Sequence, residues 1–110
     1  MELSKVVDEL NLEVIAGYND GKKEVNGAYI GDLLSLVMSK AESNNLWLTI
    51  QTHLNVIAVA TLVDVSAIIV VENMEIDEDT IKKADSVKVP LLKTKLSAYE
   101  LASKLAKLGV

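Results

Sequence analysis

His53 is the only histidine in the 110 residues, and it sits in the polar run Gln51-Thr52-His53-Leu54-Asn55. An imidazole titrates near neutrality and can exchange a proton there. Thr52 is a residue type that caps helices, and the free N–H groups at such a helix start can hold a phosphate. Capping and packing alone also account for these residue types. Further along, Glu72 and Asn73 offer a carboxylate and an amide, as an ordinary polar strand exit also does. Lys93 and Lys95 flank Thr94 and could neutralise a phosphate, although solvated surface lysines are the commoner case. Gly31 and Asp32 follow an apolar run and complete the set. Asp77, Glu78 and Asp79 look like a metal cluster, but compensation of a helix dipole explains them better.

Several chemistries lack their residues. The chain has no cysteine, so disulfides, thiolate metal sites and Cys nucleophiles are out. One histidine makes a zinc site improbable. No Gly-x-x-x-x-Gly-Lys-Ser/Thr run is present, and Gly27-Ala28-Tyr29-Ile30-Gly31 is not a dinucleotide fingerprint. No nucleophile-elbow motif supports a Ser-His-Asp arrangement. No cofactor is expected. A net charge of -5 and a pI near 4.8 argue against a nucleic-acid binder. Tyr18, Tyr29, Trp47 and Tyr99 do not alternate with basic residues, as a base-stacking platform would require. Asp64 and Ser66 interrupt the longest apolar stretch, well short of a membrane span. The N-terminal residues lack a signal-peptide core, which gives a cytoplasmic expectation.

The candidates need elements to hold them. Ser4 to Leu10 suits a short helix with Ser4 as its cap. Leu12–Gly17 and Glu24–Ile30 read as strands around the turn signal Asn19-Asp20-Gly21, either as a hairpin or as a looser excursion. Asp32 to Ala41 has helical spacing, with Leu33, Leu34, Val37 and Met38 on one face. Leu46–Gln51 reads as a strand, and His53–Val63 as a helix apolar nearly all round. Ala67–Val71 is a β-branched run suited to a strand buried on both faces. Asp77–Asp85 reads as a helix capped by Asp77, with Ile76 and Ile81 as a hydrophobic staple. Val89–Thr94 is a strand with Pro90 near its start. Ser97-Ala98-Tyr99-Glu100 is a capping box opening the last helix, which Gly109 stops.

From Leu46 onward strands and helices alternate. Right-handed crossovers make that a mostly parallel sheet of about five strands between two helical layers, a three-layer α/β/α sandwich. The earlier elements are expected to add to one edge, with an antiparallel member. No linker divides the chain, so residues 1–110 are expected to form one domain. In such sheets ligands bind outside the carboxyl ends of the strands. Gly31, Asp32, Gln51, Thr52, His53, Asn55, Glu72, Asn73 and Thr94 should therefore share one rim.

The helix after His53 leaves little polar face. A helix apolar all round must be covered on more than one side, and a chain this small covers it poorly. Self-association is the expected solution.

These stretches resemble the DRTGG domain family, and specifically small proteins similar to the N-terminal domain of HPr kinase/phosphorylase. The carriers are Val25–Ser35, Trp47–Ala60, Ala67–Val71 and Pro90–Thr94, so the resemblance covers nearly the whole chain. The family's naming motif is set against Lys22–Ala28, where only Gly27 matches and Lys23 keeps a positive charge. The resemblance implies a fold like the N-terminal domains of HPr kinase and Mur ligases. It implies no kinase activity, since the catalytic domain with its P-loop is not in this chain. Related domains accompany CBS modules and phosphotransacetylases, where they look regulatory and often dimeric.

The first functional expectation is a non-catalytic regulatory homodimer that senses a small anionic metabolite or nucleotide, or docks on a partner enzyme. The second is a small enzyme using His53 as acid or base on a phosphorylated or carboxylated metabolite. The third is a purely structural interaction domain.

Overall fold

The computed structural model describes all residues, 1–110. Its elements in chain order are α1 (Leu3–Leu10), β1 (Glu13–Ala16), β2 (Gly27–Ile30), α2 (Leu34–Lys40) and β3 (Asn45–Thr49). There follow α3 (Asn55–Val63), β4 (Ala67–Val70), α4 (Glu78–Val87), β5 (Leu91–Lys93) and α5 (Ala98–Leu108). The five strands form one sheet in the order β1-β5-β4-β3-β2. β2 through β5 run parallel, and β1 is the antiparallel edge.

Strand alternation sorts the core into two layers. Trp47, Ile68, Val70 and Leu91 point to one face, where they meet Val37 of α2, Val56, Ile57 and Ala60 of α3, and Ala84 of α4. Leu46, Leu48, Ala67, Ile69 and Leu92 point to the other, where they meet α1 and α5 through Leu3, Val6, Leu101 and Leu105. From β2 to β5 each crossover steps the same way across the sheet. A single handedness of crossover then puts α2, α3 and α4 on one face. The chain is thus the three-layer α/β/α sandwich that the sequence predicts, with β4 buried at every residue.

The first two strands correct the expectation. They neither form a hairpin nor share an edge: β1 borders β5 and β2 borders β3, at opposite ends of the sheet. The reason lies in the backbone bonds of the segment between them. The Leu3 N–H donates to the Lys23 carbonyl, the Ser4 N–H to Gly21, and the Val25 N–H to Met1. The segment therefore pairs with the N-terminus rather than folding back on β1. The same bonds satisfy the first N–H groups of α1, so Ser4 is not its cap and lies inside the helix.

Helix α2 buries only Val37, while Leu33 and Met38 are exposed. It lies over the β2 edge and has no neighbour beyond it. Gly17 closes β1 with a φ of +70°, and a Cβ there would stand 1.9 Å from the Val89 carbonyl oxygen. Only glycine allows β1 and the start of β5 to approach this closely.

Candidate functional site

The carboxyl ends of the parallel strands form the expected rim, and its polar residues fall into three groups. In the first, the end of β2 meets the end of β3. The Asp32 carboxylate accepts from the Thr49 hydroxyl at 2.8 Å and from the Ile50 N–H at 3.0 Å. The Gln51 amide donates to the Asp32 carbonyl at 2.8 Å, and the Trp47 indole N–H to the Gly31 carbonyl at 2.9 Å. Thr49 is buried, so its hydroxyl needs the partner that Asp32 supplies.

In the second group, the β3–α3 loop meets the start of α4. His53 Nδ1 lies 2.8 Å from Asp77 Oδ2. The buried Thr80 hydroxyl donates to the Thr52 carbonyl at 2.8 Å. Thr52 does not cap α3: that helix begins at Asn55, preceded by Leu54, and has no side-chain cap. The Asp77 side chain likewise caps nothing, although Asp77 occupies the cap position of α4. Thr52 lies too far before the helix to cap it, and the Asp77 carboxylate is engaged by His53.

In the third group, the ends of β4 and β5 meet. Helices α4 and α5 leave these adjacent strands for opposite faces, which makes this the topological switch point of the sheet. In open α/β sheets that is where the ligand crevice lies. Here main-chain bonds bridge it: the Glu72 N–H donates to the Leu96 carbonyl and the Asn73 N–H to the Thr94 carbonyl. Glu72 and Asn73 both have positive φ, at 63° and 54°, and make the tight turn that brings these N–H groups across.

The rim therefore assembles Gly31, Asp32, Gln51, Thr52, His53, Glu72, Asn73 and Thr94, but in pairs rather than around one cavity. Asn55 is separate and lines an open apolar groove of about 710 Å³ between α3 and α4, with Leu54, Ala58, Leu62 and Val87. Thr94 lines a second groove, of about 320 Å³, with Lys93, Lys95 and Lys104. Lys22–Asn26 precede β2 and lie at the other end of the sheet, away from the rim. There, burial and the carboxylates of Asp8 and Asp20 hold the Tyr18 phenol above its ordinary range.

Sequence reasoning missed Thr49, Asp77, Thr80 and Lys104. Thr49 carried a signal, a hydroxyl inside a strand otherwise apolar on that run. Asp77 and Thr80 carried none, because a helix start explained them.

No curated protein matches the chain. Among solved structures it is similar to the crystal structure of the CBS and DRTGG domains of the regulatory region of Clostridium perfringens pyrophosphatase, complexed with its activator diadenosine tetraphosphate. The TM-score is 0.70 at 13% identity, over 93% of this chain and 44% of that one. The chain thus spans less than half the length of that neighbour, and the likeness is one of fold. The DRTGG domain family matches residues 5–108. The chain belongs to the DRTGG domain family.

Proposed function

We propose that this chain is a non-catalytic regulatory module of the cytoplasm, acting as one domain, that binds a small anionic ligand of the nucleotide or sugar-phosphate class at its strand-end rim. The carrying observation is that the rim's polar groups tie neighbouring loops to one another. Asp32 engages Thr49, His53 engages Asp77, and Glu72 and Asn73 engage the loop after β5. A ligand seated among these contacts changes how the four loops after β2, β3, β4 and β5 are held. The regulatory region of the C. perfringens pyrophosphatase, complexed with a dinucleotide activator, supports the same reading.

The module works as a homodimer, and the face formed by α3 and α4 meets a second copy or a partner enzyme. Leu54, Leu62 and Val87 leave that face apolar and exposed.

An amide-resolved NMR titration with ATP, pyrophosphate and glucose 6-phosphate tests the ligand reading. Saturable shifts at Gly31, Gln51, Glu72, Asn73 or Thr94 support it. No saturable shift with any of the three removes it. Turnover of one of them, lost in His53→Ala, would replace it with the enzyme reading.

A further inference from the structure

Lysine supplies every cationic side chain here, because the chain has 11 lysines and no arginine. Three of them, Lys93, Lys95 and Lys104, line the groove of about 320 Å³ beside the carboxyl end of β5. They come from two elements, the β5 exit and the exposed side of α5, and the turn after α1 closes the far side at Asn11. Leu10 and Leu96 pack on the core beneath and give the groove a fixed apolar floor.

The charge balance of this groove opposes that of the chain. The protein carries a net -5, yet the groove's lining holds three ammonium groups against one carboxylate, Glu13, which faces Lys93 across the β1–β5 pair, while Glu100 acts on Lys104 from one turn earlier on α5. Neither close ion pair of the chain involves these lysines: those are Met1 with Glu24 and His53 with Asp77. Like charges gathered in a groove repel one another, and a bound polyanion relieves that repulsion. Thr94 adds a directional group. Its oxygen accepts from the Leu96 N–H at 3.2 Å, so its own O–H points to no protein acceptor and can donate to a ligand.

The side-chain type selects the anion. An ammonium is a compact point charge with three rotatable donors and no planar fork. Three such groups on flexible stems suit the spread charge of phosphates better than the planar geometry of one carboxylate. We propose that the Lys93–Lys95–Lys104 groove is the site for the phosphate groups of a ligand bearing two or more phosphates. This rests on the anion-binding reading above and places the ligand's charge on the outer side of β5. There it bridges the β5 exit, α5 and the turn after α1. Glu13 is the opposing charge inside the groove, and it limits affinity.

Calorimetric titration of the full chain with pyrophosphate, at low and at physiological salt, tests this. The expected result is saturable binding that weakens as salt rises. Lys93→Ala, Lys95→Ala and Lys104→Ala should each weaken it about three- to tenfold, and the triple variant should lose it. Arg at each position should restore much of the affinity. Glu13→Gln should tighten binding, an effect that a merely structural role for Glu13 would not produce. If the triple variant folds and binds pyrophosphate like the wild type, the groove is not the site, while the ligand-sensing reading survives. Should the triple variant fail to fold, the single variants and Glu13→Gln decide in the same way. If the wild-type chain binds neither pyrophosphate nor ATP, both the groove and the wider reading fall.

Discussion

His53 Nδ1 and Asp77 Oδ2 stand 2.8 Å apart, so the lone histidine ties the loop before α3 to the residue that starts α4. The pair is exposed, with side-chain accessibilities of 71% and 49%. Exposed pairs of this kind contribute about 0.2–1 kcal/mol. His53→Ala should therefore cost less than about 1 kcal/mol, measured by urea denaturation. A loss of several kcal/mol would mean that the loop contact is structural.

Trp47 is fully buried, and its indole N–H donates to the Gly31 carbonyl at 2.9 Å. Trp47→Phe removes that donor and leaves unfilled volume under α2 and α3. The expected destabilisation is roughly 2–4 kcal/mol, read from the shift in denaturation midpoint. Because Trp47 is the only tryptophan, the wild-type chain should also show blue-shifted emission that moves red on unfolding.

The capping box of α5 gives a signed pH dependence. The Ser97 backbone N–H, then its side chain, holds the Glu100 carboxyl below its ordinary range. A carboxyl depressed in the folded state stabilises that state above the unfolded pKa. The contribution disappears as pH falls through the folded pKa. Wild-type protein should thus lose stability on acidification below the ordinary glutamate range, and Glu100→Gln should lose less over that window. Ser97→Ala should cost about 1 kcal/mol at neutral pH. Thermal melts of the three proteins from neutral to acidic pH check both statements.

Leu62, near the end of α3, is 73% exposed on the apolar face that α3 shares with α4. If the α3–α4 face meets a second copy, wild-type chain should sediment as a dimer and Leu62→Glu as a folded monomer. A wild-type monomer at high micromolar concentration would contradict the dimer.

The layered sheet was legible in the sequence because β-branched runs and helical stripes repeat from Leu46 onward. The capping box at Ser97 and the stop at Gly109 were legible because they are local. What escaped was every contact set by distant backbone. Ser4 reads as a cap, yet Gly21 and Lys23 carbonyls fill that role from across the fold. Asp77 reads as a cap, yet its carboxylate turns to His53, 24 residues away. The rim residues were found because strand ends converge by topology. Their division into three linked pairs was not, since side-chain partners such as Thr49 and Thr80 depend on which strands become neighbours.

The most direct test of ligand sensing is the melting temperature of the chain with and without a phosphorylated ligand. A ligand at a hundredfold excess over its dissociation constant stabilises the folded state by roughly 2.7 kcal/mol. For a domain of this size that raises the midpoint on the order of 10 °C. Such a shift is expected for at least one nucleotide or sugar phosphate, reduced when Lys93, Lys95 and Lys104 are all replaced by Ala. An unchanged midpoint across nucleoside mono-, di- and triphosphates, dinucleoside polyphosphates and sugar phosphates would contradict it.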